Sequence, residues 1–140
     1  MSNNDFPPFD MPLLEDDAAQ SEFEIEFYWQ VLDRSHENVD VLRRLVELHG
    51  HRGEHGRALP LVRRLVDLRP ADNIARYNLA CTQAQLGHVS EALYSLGLAI
   101  HSGYDDVVQL ETDPDLESLH DRIEFDQVIE ECILQNAFEK

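Results

Sequence analysis

A chain of 140 residues with 43% apolar content has the size of one domain and can bury a modest core. Its formal charge of -17 opposes nucleic-acid and anionic-membrane partners. It contains no run of about 18 apolar residues, and acids and prolines stand where a signal peptide would need a basic stretch, so a soluble, unexported, cytoplasmic protein is expected.

The charge is unevenly spread. Residues 1–40 carry eleven acids against Arg34 alone (-10), residues 77–140 thirteen against Arg122 and Lys140 (-11), and residues 41–76 eight arginines against four acids (+4). A basic middle between acidic ends can steer an acidic partner or the protein's own tail. In chain order, residues 1–20 combine three prolines with five acids and no apolar period, which predicts a disordered acidic tail. Ser21 and Glu24 form the S-x-x-E pattern of a capping box, predicting a helix from Ser21 to Arg34 with an apolar arc of Ile25, Phe27, Tyr28, Trp29, Val31 and Leu32.

Internal repetition governs the rest. A shift of 34 residues superimposes Leu45 on Leu79, Gly53 on Gly87, Ala58 on Ala92, Leu59 on Leu93, Val62 on Leu96, Val66 on Ile100 and Asp72 on Asp106. A glycine near the middle of each unit is what two antiparallel helices joined by a tight turn require. With Leu79, Ala80, Gly87, Ala92, Leu96 and Ala99 in the signature positions, residues 39–72 and 73–106 resemble two tandem tetratricopeptide (TPR) repeats. Ala80, Ala92 and Ala99 would permit close helix crossing. The first unit keeps Leu45, Gly53, Ala58 and Pro70 but has Val46 and Leu65 where small residues are usual.

Residues 105–135 follow, with L-E-T-D-P-D-L-E-S-L from Leu110 to Leu119 similar to the segment that closes TPR arrays in many bacterial proteins. Asp113 before Pro114 reads as an N-cap, and Phe125, Val128, Ile129 and Cys132 form one stripe of a helix from Glu124 to Leu134. The expectation is an all-α TPR domain over residues 21–135, lidded by the first helix and this cap, with residues 136–140 as a short end. The resemblance of the cap implies a bacterial protein.

The resemblance also implies a binding surface on the first helix of each unit: Asp40, Arg43, Arg44, Glu47 and His51, then Tyr77, Asn78, Cys81 and Gln85. Arginines beside an amide and an aromatic suit a short acidic or amphipathic peptide. The family variant that grips a C-terminal carboxylate with lysines is disfavoured, since no lysine precedes Lys140.

His49, His51 and His55 with Glu54 could supply metal donors, but their spacing matches no closed site and falls on an inter-helix turn, so no metal and no cofactor are expected. Cys81 and Cys132 lie far apart, show no disulfide or zinc pattern, and read as reduced thiols. No phosphate-cradling loop, H-E-x-x-H or G-x-S-x-G is present, which predicts a non-catalytic adaptor or scaffold. Two other readings are a small chaperone for one client and, from a different class, a metal-dependent or thiol enzyme. The tail places Phe6, Phe9, Met11, Leu13 and Leu14 among acids; it reads either as a solubilising leader or as a segment that folds onto the arginine-rich groove, in cis or between copies.

Overall fold

The structure, a computed structural model, describes residues 17–139. Every regular element there is helical: α1 (Asp17–Arg34), α2 (Val39–His51), α3 (His55–Leu68), α4 (Asn73–Gln85), α5 (Val89–His101), α6 (Val107–Thr112), a 3-10 turn (Pro114–Leu119) and α7 (Ile123–Glu139). None of these helices is long and apolar enough to cross a membrane.

The helix starts keep the sequence period. α2, α4 and α6 begin at residues 39, 73 and 107, and α3, α5 and α7 at 55, 89 and 123, each step being 34. Local chemistry sets this rhythm. Asn38, Asp72 and Asp106, also 34 apart, each accept a hydrogen bond from a backbone amide of the helix they precede, removing a donor the first turn would leave unpaired. Gly53 and Gly87 occupy left-handed backbone, at φ 74° and 81°, in the connections between α2 and α3 and between α4 and α5.

Consecutive helices pack from α1 through α5, and α7 covers α5 and α6. Leu32, Leu42, Leu45, Leu61, Val62 and Leu65 centre one buried cluster; Leu96, Ile100, Leu110, Leu116, Leu119 and Phe125 centre a second. Ala80, Ala92 and Ala99 are completely buried, as expected of small residues at helix crossings, while Val46 and Leu65 are accommodated in the first cluster. Phe125, Ile129 and Cys132 bury the expected stripe of α7, with Val128 packed against its edge.

Two boundaries differ from expectation. α1 begins at Asp17, so residues 17–20 belong to the helix and Ser21 lies inside it, where it cannot cap. The good helix formers Ala18, Ala19 and Gln20 extend it by a turn past the S-x-x-E pattern. The remainder of the expected tail, residues 1–16, lies outside the described residues. At the other end α7 runs to Glu139 rather than stopping at Leu134, because I-L-Q-N-A-F contains no glycine or proline to end it.

The third unit is a broken copy of the first two. Pro114 cannot continue α6 and forces Asp113 into extended backbone, so the chain turns and the 3-10 segment packs across α4. That turn closes one end of the surface formed by α2 and α4.

Candidate functional site

Arg43, Val46, Glu47 and Gly50 of α2 follow at i, i+3, i+4 and i+7, and Asn78, Cys81, Thr82 and Gln85 of α4 do the same. These two faces border one groove of about 430 Å³, whose lining also includes His51, His55, Ile74 and, from the cap, Asp115. Six of the nine expected residues are therefore brought together: Arg43, Glu47, His51, Asn78, Cys81 and Gln85. Ile74, 51% exposed, gives the groove an apolar contact point.

The other three stand elsewhere. Asp40 is exposed in the first turn of α2, outside the groove lining. Arg44 is tied to Glu24 of α1 at 3.3 Å and hydrogen-bonds Glu47, so it joins two helices. Tyr77 is buried: its hydroxyl donates to Asp113, and its ring stacks on Tyr104 with centroids 4.3 Å apart. The expectation that Tyr77 meets a ligand is thus corrected, because the cap folds over it and turns it into a packing residue. Burial, reinforced by the neighbouring Cys81 and the bond to Asp113, pushes its phenol far up.

The electrostatics also depart from a cationic groove. Arg43 is paired with Asp72, the carboxylate that caps α4. Burial pushes the Asp72 carboxyl up, but Arg43 and the amides of Ala75 and Ile74 outweigh this and hold it below its usual range. Glu47, bonded to Arg44, and Asp115 are exposed carboxylates of the lining, and with Arg43 as its one arginine already countered by Asp72 the groove is acidic on balance. Its unengaged polar groups are the Asn78 amide and the imidazoles of His51 and His55, none of which bonds another described residue.

His49, His51, His55 and Glu54 do not gather their donor atoms into one group among the described residues. His49 is buried, accepts from the Trp29 indole at 3.2 Å through Nε2 and donates to Glu54 at 2.9 Å through Nδ1. Both ring nitrogens are used within the protein, so His49 has none left for a metal. That bond is the main reason Glu54 lies below the ordinary carboxylate range.

Sequence reasoning missed the cap's contribution. Among the described residues, the metal-capable atoms that cluster within 4.8 Å belong to Cys81, Asp113 and Asp115. All are engaged: Asp113 accepts from Tyr77 and Gln109 while capping the 3-10 turn, and Asp115 accepts from Gln85 at 2.7 Å. Burial first, then the carboxylates of Asp113 and Asp115, push the Cys81 thiol well up, which makes it a poor nucleophile. The D-P-D signal was legible as a cap; its approach to α4 was not.

No protein family matches the chain, and no solved structure matches it. It is 37% identical over 59 residues to a chloroplastic protein of Arabidopsis thaliana, a stretch that is 42% of this chain and 18% of that protein. The chain thus spans under a fifth of that relative's length in the matched region. The relative is from a plant chloroplast and lends no support to a bacterial, cytoplasmic assignment.

Proposed function

We propose that this chain is a non-catalytic protein-binding module of the TPR type, whose groove between α2 and α4 holds a short amphipathic segment of another protein. The observation carrying this reading is the groove itself: two facing helices that begin 34 residues apart border it, the cap reaches it through Asp115, and six residues of the expected binding set lie along it. The unbonded Asn78 amide can donate to and accept from an extended peptide backbone, as the family resemblance leads one to expect. Ile74 offers an apolar contact at the same surface.

The acidic balance favours an amphipathic ligand over an acidic one. An acidic peptide would meet Glu47 and Asp115 while Arg43 and Arg44 are already engaged. A basic side chain opposite Asp115, with an apolar one against Ile74, fits the charges present. The buried, neutral Cys81 thiol is consistent with a packing role rather than nucleophilic catalysis.

The test is capture from native lysate on the immobilised full chain and on an Ile74→Glu/Asn78→Asp variant, with both circular dichroism spectra recorded. A protein retained by the first and lost from an equally helical second supports the groove. Equal retention by both places the binding surface elsewhere.

A further inference from the structure

Arg43, the arginine that lines the groove, is countered by Asp72, but Arg57 and Arg64 on the exposed side of α3 have no such partner among the described residues. α3 carries Arg57, Arg63 and Arg64 against Asp67, and Arg69 follows at its C-cap. At 100° per residue Arg57, Arg64 and Leu68 fall on one stripe beside Pro60; both arginines and Pro60 are exposed, and Leu68 is half-buried. Arg63 lies on the opposite edge, 3.9 Å from Glu91. Among the described residues, no carboxylate comes within 4.0 Å of the Arg57, Arg64 or Arg69 guanidinium; Arg64 and Arg69 reach only the backbone carbonyls of His36 and Leu68. In a chain of net charge -17, this uncompensated stripe is where an acidic segment gains most.

Residues 1–16 are such a segment: they contain Asp5, Asp10, Glu15 and Asp16, no lysine or arginine, and the apolar Phe6, Phe9, Met11, Leu13 and Leu14. They join the described chain at the start of α1, where Ala18, Gln20 and Ser21 border a cleft with Leu48, His51, Arg52 and Glu54. The junction therefore lies at the end of the molecule where α3 begins. Extended, these residues reach about 50 Å, at roughly 3.3 Å each, whereas α3 rises only about 21 Å, at roughly 1.5 Å per residue. The groove is the poorer host, since Glu47 and Asp115 would face the segment's acids.

We propose that residues 5–16 dock in cis along the outward face of α3, with their acids against Arg57, Arg64 and Arg69 and their apolar side chains against Pro60 and Leu68. The groove between α2 and α4 stays open, and the inference does not depend on what that groove binds. Tail and groove ligand then occupy different faces and do not compete.

A nitroxide on an Asn4→Cys variant tests this through paramagnetic broadening of backbone amides. The native thiols Cys81 and Cys132 are buried and leave the new one selectively labelled. Broadening should concentrate on residues 55–69 at about 0.1 M salt and fade at about 1 M, where the screening length falls from about 10 Å to about 3 Å. It should also be lost in Arg57→Glu/Arg64→Glu, and in a chain with Asp5, Asp10, Glu15 and Asp16 replaced by their amides, which leaves α3 untouched. Broadening confined to Arg43, Asn78 and Gln85, spread evenly over the surface, or seen only between molecules in a mixture of labelled and isotope-enriched chains would overturn the proposal.

Discussion

The Tyr77 hydroxyl donates to the buried Asp113 carboxylate, joining α4 to a residue 36 positions later in the chain. The same carboxylate accepts from Gln109 and caps the 3-10 turn, so one buried anion connects α4, α6 and the cap. Tyr77→Phe removes a donor and leaves that charge under-bonded in a site with little water. A loss of about 1–3 kcal/mol is expected, read as a lower urea midpoint with an unchanged slope. Asp113→Ala should cost at least as much, because it also removes the cap.

Arg43 and Asp72 supply an acid-dependent part of the stability. The Asp72 carboxyl is held below its ordinary 3.8, so its contribution is complete above that value and lost as pH falls through the lower folded value. Glu54, held below 4.5 by His49, adds a loss of the same sign. Asp72→Asn keeps a competent cap but loses the charge pair. Thermal melts should show a deficit of at most about 1 kcal/mol near neutral pH, since Arg43 is partly exposed, and a shallower decline below pH 3.8 than the native chain. An unchanged acid slope would remove Asp72 from this account.

Gly87 and Gly103 separate two costs. Both have positive φ, 81° and 113°, but a Cβ on Gly87 would meet nothing within 4 Å, whereas one on Gly103 would lie 3.3 Å from the Asn73 side chain. Gly87→Ala should cost about 1–2 kcal/mol from backbone conformation alone. Gly103→Ala should cost more, because it also presses on the Asn73 amide that donates to the Ser102 carbonyl at 3.3 Å. Denaturation midpoints of the two variants check the order.

Cys81 and Cys132 are buried, and burial pushes both thiols above the ordinary range. Since the thiolate is the reactive form, neither should titrate with a disulfide reagent in the folded protein near neutral pH, and both should react rapidly in denaturant. Fast native labelling of Cys81 would show that the cap opens readily over α4.

Much of the fold was legible because it is written locally. The 34-residue step, the glycines at 53 and 87, Asp113 as a cap, and the stripe ending at Cys132 are visible in the sequence, and the helices begin and turn where those signals stand. Asn38, Asp72 and Asp106 form a series of caps that went unread, although the 34-residue step had already paired Asp72 with Asp106. Ser21 failed for the opposite reason: a capping pattern inside a run of good helix formers has no helix end to cap.

By itself the sequence determined the helices, their period and the two faces that border the groove, since spacing along a helix fixes which side chains share a face. Tertiary structure decided how those side chains are used. Pro114 folds the cap back onto α4, burying Tyr77 and bringing Asp115 to the groove; Asp72 and Glu24, arriving from other elements, counter Arg43 and Arg44. Charge balance and solvent access depend on what the rest of the chain brings within a few ångströms, and that distance is set by packing.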